Sequence, residues 1–263
     1  MKKVLIVGTS HSAASCTRQE NPNYIERINK GRWHDYFTTD LSYNVTLIAR
    51  SGTTPQDQLM TVIAYMADNP HETWDLCIIE GRSIEDTINI PWQRIHDESN
   101  PEVSSWEDFY YMYQDRDDDY IDRKHMPFYN KSATSESIND DFKEKSVLPW
   151  AINYVESVNQ AIDTYGCNRA IISKIEERCP VVKFWIYSHA LSFHNDTKFN
   201  LHRKFGEELL GKWLLFGNDW IYNADMLLDL QDDELCECGH PNEAGHKRIW
   251  KELIKPRIGN LNE

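Results

Sequence analysis

Four short apolar runs rich in β-branched residues, at 4–7, 45–49, 75–79 and 181–187, constrain this chain more than any other feature. They are near-continuous rather than alternating, which suits strands buried on both faces of a parallel sheet. Between them lie helix-compatible stretches at 55–66 and 149–178; in the second, Trp150, Tyr154, Val158 and Ile162 recur at helical spacing. Alternating strand and helix predicts a doubly wound α/β sandwich. Further helices are expected at 201–216 and 246–254, the latter ended by Pro256. A short fifth strand is expected within 220–230.

A chain of 263 residues suffices for one sizeable domain or a domain with an insertion. The insertion is expected at about 84–145, where the pattern gives way to acids, aromatics and turn formers, including Asp115-Arg116-Asp117-Asp118-Asp119-Tyr120. A segment of that length inside a compact domain reads as either functional, a lid or binding surface, or mobile, and its tyrosines and tryptophans favour a lid. With 28 basic and 42 acidic residues the formal charge is -14. That charge repels phosphate backbones and anionic lipid, which argues against nucleic-acid and membrane-surface partners and for a small neutral or weakly charged substrate. The apolar start stops at Gly8, too short for a signal peptide, and no run approaches the roughly 18 apolar residues of a membrane helix. A cytoplasmic protein is expected. Cys16, Cys77, Cys167 and Cys179 are scattered rather than spaced as a framework, so reduced thiols are the expectation.

Two segments carry candidate chemistry. Gly8-Thr9-Ser10-His11-Ser12 follows the first strand, at the sheet end where open α/β folds place their crevices. A serine hydroxyl is a poor nucleophile without a base, and by itself this segment fits a strand-to-helix turn with polar caps equally well. The second segment, Glu237-Cys238-Gly239-His240-Pro241-Asn242, sets an acid three residues ahead of a histidine in a Gly/Pro loop. Glu237 is then placed to accept a hydrogen bond from one ring nitrogen of His240, leaving the other to take the proton of Ser10. A surface histidine in a turn is the alternative. His11, His189 and His194 also lie toward the crevice side, as substrate contacts or as structural side chains.

Gly8-Thr9-Ser10 resembles the Gly-Asp-Ser start of the SGNH (GDSL-like) hydrolases, and residues 237–246 resemble their Asp-x-x-His-Pro-Asn-x-x-Gly-His ending. The resemblance runs in the family's order from residue 4 to about 254, omitting the insertion. It implies a three-layer α/β/α sandwich with a five-stranded parallel, flavodoxin-like sheet. It also implies a Ser10, His240, Glu237 triad and an oxyanion hole formed by the backbone N–H groups of Ser10 and Gly52, since Ser51-Gly52-Thr53 follows the second strand. Three positions depart from the family. Thr9 stands for the aspartate beside the nucleophile, and Glu237 for the triad aspartate. Glu80-Gly81-Arg82-Ser83-Ile84 stands where the family has Gly-x-Asn-Asp, so the oxyanion asparagine is absent; Ser83 or Arg82 is the candidate substitute donor, and the alternative is that neither serves.

No cofactor or metal is expected. The one-residue gaps of Cys236-x-Cys238-x-His240, with His246 beyond, do not match paired zinc ligands. The acids at 115–122 lack the order of a calcium loop, and the single glycine at the first turn does not make a dinucleotide fingerprint. The expectation is a serine esterase or deacylase acting on carboxylic esters, including O-acetyl groups on carbohydrate. A non-catalytic binding or structural protein, and an acyltransferase, are the alternatives on the same fold.

Overall fold

A computed structural model describes residues 1–18, 21–27, 31–49, 55–82, 87–91, 128–132, 158–187, 208–215, 228–237 and 239–258. Four of its strands, β1 (Lys3–Gly8), β4 (Asn44–Ala49), β5 (Leu76–Arg82) and β8 (Val182–Tyr187), form one parallel sheet in the order β4-β1-β5-β8. The register pairs Val4 with Val45 on one side and with Leu76 on the other, and Cys77 with Val182. All four apolar runs are therefore strands, because each is hydrophobic on both faces and only an interior sheet position buries both.

Alternation along β1 divides the core in two. Leu5 and Val7, with Cys77, Ile79 and Phe184, pack on α3 (Pro55–Asp68) and α4 (Val158–Glu176) through Val62, Met66, Tyr165, Ile172 and Ile175. Val4 and Ile6, with Leu76, Ile78 and Trp185, pack on Trp33, on Phe37 of α2 (Asp35–Leu41), and on Trp250, Leu253 and Ile254 near the C-terminus. Helices cover both faces, which is the expected α/β/α sandwich. At about 25 cal/mol per Å², each of these fully buried aromatic and aliphatic side chains contributes roughly 1.5–3 kcal/mol against chain entropy.

The sheet has four strands among the described residues rather than five. Leu214 makes a parallel bridge to Phe184, and Leu215 N–H donates to the Phe184 carbonyl at 2.7 Å, so a fifth row begins at the β8 edge. Most of the stretch expected to hold the fifth strand, 220–230, lies outside the described residues, which resume at 228. The helix expected at 201–216 ends early, in a 3-10 turn over Gly211–Trp213, because Leu214 is drawn into extended backbone against β8.

The closing helix starts at Glu243 and runs through α5 (Glu243–Arg248), a π-helical stretch Ile249–Ile254 and α6 (Lys255–Arg257). Pro256 does not end it as expected. It sits in the first turn of α6, where its missing N–H costs little once the π stretch has reset the ladder. Two antiparallel ribbons add to the sandwich. One, β2 (Ser15–Arg18) with β3 (Asn21–Arg27), follows the first turn. The other, β6 (Thr87–Pro91) with β7 (Phe128–Ser132), is the described part of the 84–145 segment.

Cys77, Cys167 and Cys179 are free thiols, as expected, and burial raises the pKa of each. Cys236 is not: it is disulfide-bonded, which corrects the reduced-thiol expectation for this loop and removes it as a thiolate ligand for zinc. Among the described residues no helix is long and apolar enough to cross a membrane.

Candidate active site

The chain leaves β1 at Gly8 and turns at once into α1 (Ser10–Ala13), a single helical turn with Thr9 as its N-cap. Because β1 lies between β4 and β5, this turn stands where the strand order reverses, the position at which open sheets form their crevices. One turn of four residues cannot support itself, since nucleating a helix costs more than its first hydrogen bond returns. Its last residue is followed by Ala14 in the left-handed region (φ 51°, ψ 46°), unfavourable for alanine by roughly 1–2 kcal/mol. Tertiary contacts must therefore hold it, and two buried side chains do.

From the neighbouring strand, Glu80 accepts the N–H of Thr9 at 3.0 Å and that of Ser12 at 2.7 Å, both on Oε2, while the Thr9 hydroxyl donates to Oε1. Glu80 is itself fully buried, and Gln58 of α3 donates to its carbonyl at 2.8 Å. From the other side, His34 Nε2–H donates to the Ser12 carbonyl at 2.9 Å. That contact assigns the ring proton to Nε2 and leaves His34 Nδ1 3.4 Å from Asp35 Oδ1. Burial pushes the His34 pKa from 6.5 down to about 4, Arg32 adds to the fall, and Asp35 opposes it.

The second segment builds its own platform. Cys236 N–H donates to the His240 carbonyl at 2.7 Å and Gly239 N–H to the Cys236 carbonyl at 2.9 Å, closing a tight turn. Gly239 sits at φ 77°, a conformation that glycine adopts without penalty. Asn242 then serves two purposes. Its Oδ1 accepts the N–H groups of Ala244 and Gly245 at 2.8 and 3.2 Å, capping α5. Its Nδ2 donates to the carbonyls of Asp233 and Leu235 at 2.8 and 3.2 Å, tying the loop to the helix start. His240 is thus held on a stapled turn.

These two platforms meet. His240 Nε2 lies 3.0 Å from Ser10 Oγ, a hydrogen bond between residues 230 positions apart. The ring of His11 packs against that of His240 with centroids 4.9 Å apart and lies edge-on to Trp185 at 6.3 Å. His246 is buried behind them, and burial first, then His11, His34 and His240, keep it neutral well below the usual histidine range despite Asp35.

The other predicted site residues are placed as follows. Ser10 and His11 are both buried, at 2% and 1% exposure. Glu237 is exposed, three residues ahead of His240 on the same turn. Arg82 ends β5 opposite Tyr187, at the same sheet end as Ser10; its side chain, and the whole of Gly52, Ser83 and His189, lie outside the described residues. Sequence reasoning missed Glu80 and His34 as parts of the site. The one available signal was an acid closing the apolar run Leu76-Cys77-Ile78-Ile79.

No family model matches the sequence, and no curated protein matches it. Among solved structures the chain is similar to the psychrotrophic esterase EstA from Pseudoalteromonas sp., at 11% identity over 100% of both chains with a TM-score of 0.48. It is also similar to TesA, at 12% identity over 99% of both chains with a TM-score of 0.49. A third is a catalytic mutant of Axe2, an acetylxylan esterase from Geobacillus stearothermophilus, at 13% identity over 98% of this chain and 94% of the other, with a TM-score of 0.44. At these identities and scores the functional reading rests on the chain's own residues.

Proposed function

We propose that this chain is a serine hydrolase that cleaves carboxylic esters, with Ser10 as nucleophile, His240 as general base and Glu237 as the carboxylate that orients His240. The 3.0 Å hydrogen bond between Ser10 Oγ and His240 Nε2 carries the reading, because it is the contact a neutral imidazole needs to take the hydroxyl proton. Ser10 Oγ attacks the ester carbonyl and its proton passes to His240. The oxyanion is held by the backbone N–H groups of Ser10 and Gly52, with Ser83 or Arg82 as a third donor. Collapse of the tetrahedral intermediate breaks the bond to the alcohol, which leaves with the proton from His240. Water, deprotonated by the same imidazole, then attacks the acyl-serine and releases the acid.

O-acetylated carbohydrate is the substrate class we propose. Its support is the aromatic content of the 84–145 segment, suited to stacking on sugar faces, together with a net charge of -14 that disfavours anionic ligands.

A chromogenic acetyl ester tests the reaction class. The wild-type chain turns it over, and Ser10→Ala lowers kcat/KM by about 10³- to 10⁶-fold with the thermal midpoint unchanged. Equal turnover by the two proteins would remove Ser10 from the chemistry.

A further inference from the structure

Glu80 stands outside the proposed triad, yet its carboxylate accepts three hydrogen bonds from the nucleophile turn. It is a fully buried carboxylate in the interior of the sheet, an expensive placement unless its oxygens are fully engaged. Three donors engage them: the Thr9 N–H, the Ser12 N–H and the Thr9 hydroxyl. With Thr9 as N-cap, Ser12 is the third residue of α1. In a capping box, the N-cap side chain accepts the N–H of the third residue, and the third residue's acid accepts the N–H of the N-cap. Here the N-cap side chain makes no such bond, and one carboxylate from another strand accepts both N–H groups.

We propose that Glu80 is the positioning residue of the nucleophile, a capping box supplied in trans that fixes the turn from which Ser10 projects. This rests on the reading of Ser10 as nucleophile and adds a residue to it. Glu80 takes the N–H groups on either side of Ser10 and leaves that of Ser10 for the oxyanion. An acceptor at the start of α1 also suits the N–H groups of that end, which have no partner within the helix.

The geometry around Gly8 fits the same role. A Cβ there would overlap Ser12 and stand 2.8 Å from Glu80 Oε2, so glycine at position 8 is what lets the carboxylate reach the turn. Thr9 fits as well: a carboxylate at position 9 would itself be an ordinary N-cap, and its function has moved to position 80. A displacement of Ser10 Oγ by about 1 Å costs on the order of 100-fold in rate, so a residue that sets this position acts on kcat rather than on substrate binding.

The test compares Glu80→Gln, Glu80→Ala and the double variant Glu80→Ala with Thr9→Asp in the full chain. Hydrogen exchange across residues 9–13, kcat and KM for an acetyl ester, and the thermal midpoint are all measured. Glu80→Gln keeps the shape and one acceptor oxygen; kcat is expected to fall about 10- to 100-fold with KM nearly unchanged and exchange at 9–13 accelerated. Glu80→Ala is expected to fall further, and Thr9→Asp in that background to slow exchange again and recover at least about tenfold in kcat.

Wild-type exchange at 9–13 in a folded Glu80→Gln protein would overturn the inference. So would a loss of kcat with exchange unchanged, or a KM effect alone. If Glu80→Ala does not fold, Glu80→Gln decides. If the wild-type chain turns over no ester, the proposed function fails, while exchange at 9–13 still accepts or rejects Glu80 as the clamp.

Discussion

His240→Ala lowers kcat/KM for an acetyl ester by about 10²- to 10⁴-fold while the protein stays folded. The effect is large because the imbalance in acidity is large: a serine hydroxyl gives up its proton at neutral pH only to a base within hydrogen-bond reach, and His240 Nε2, 3.0 Å from Ser10 Oγ, is the proposed base. The same ring returns the proton to the leaving alcohol, so both halves of the reaction slow together. The fold is expected to survive because His240 is half-buried on a turn held by backbone hydrogen bonds and by Asn242. A steady-state assay paired with circular dichroism checks both parts. Retention of wild-type kcat/KM would show that the contact with Ser10 has no chemical role.

The second large effect is acid lability. Burial holds His34 at about 4 in the folded state against 6.5 for the free side chain, and His246 is lowered as well. Below 6.5 the unfolded chain therefore binds protons that the folded chain refuses, so stability is full above that pH and falls as pH drops toward 4. For His34 the loss at the lower end is on the order of 3 kcal/mol, a substantial part of the 5–15 kcal/mol by which domains are stable. The groups facing His34 are Arg32, Asp35 and the Ser12 carbonyl; those facing His246 are His11, His34, His240 and Asp35. Urea unfolding at pH 7.0 and 5.0 reads the effect above the range where most carboxylates titrate. A lower midpoint at pH 5.0 is expected, with a smaller drop in His34→Gln, which keeps a side-chain N–H for the Ser12 carbonyl. Equal midpoints at the two pH values, or an undiminished drop in His34→Gln, would contradict the assignment. Protonating His34 would also add a buried charge behind the nucleophile turn, so stability and site integrity are lost together.

The parts of the fold legible in the sequence are those whose residues are hydrophobic for one reason only. The strands at β1, β4, β5 and β8 stand out because burial on both faces demands unbroken apolar runs. The ribbon β2 with β3 is not visible because Ser15-Cys16-Thr17-Arg18 and its partner are polar and short, with no alternation to read. The pairing of Ser10 with His240 is legible through motif spacing. What brings them together, the Asn242 staple and the Gly239 turn, emerges only in three dimensions. Glu80 illustrates the limit best. In the sequence it stands just ahead of Arg82 and Ser83, the candidate oxyanion donors, and its side chain turns into the core to serve α1. His34 was hidden for a related reason, since its partner is a backbone carbonyl that carries no sequence signature.

The most direct measurement of the central claim is covalent labelling. A fluorophosphonate reacts with a serine only when a neighbouring base has made it nucleophilic, and peptide mass spectrometry locates the adduct. The account predicts one modified peptide carrying the phosphonyl group on Ser10, with no adduct in Ser10→Ala and strongly slowed labelling in His240→Ala. An unlabelled wild-type protein, or an adduct on another residue that persists in Ser10→Ala, would contradict it.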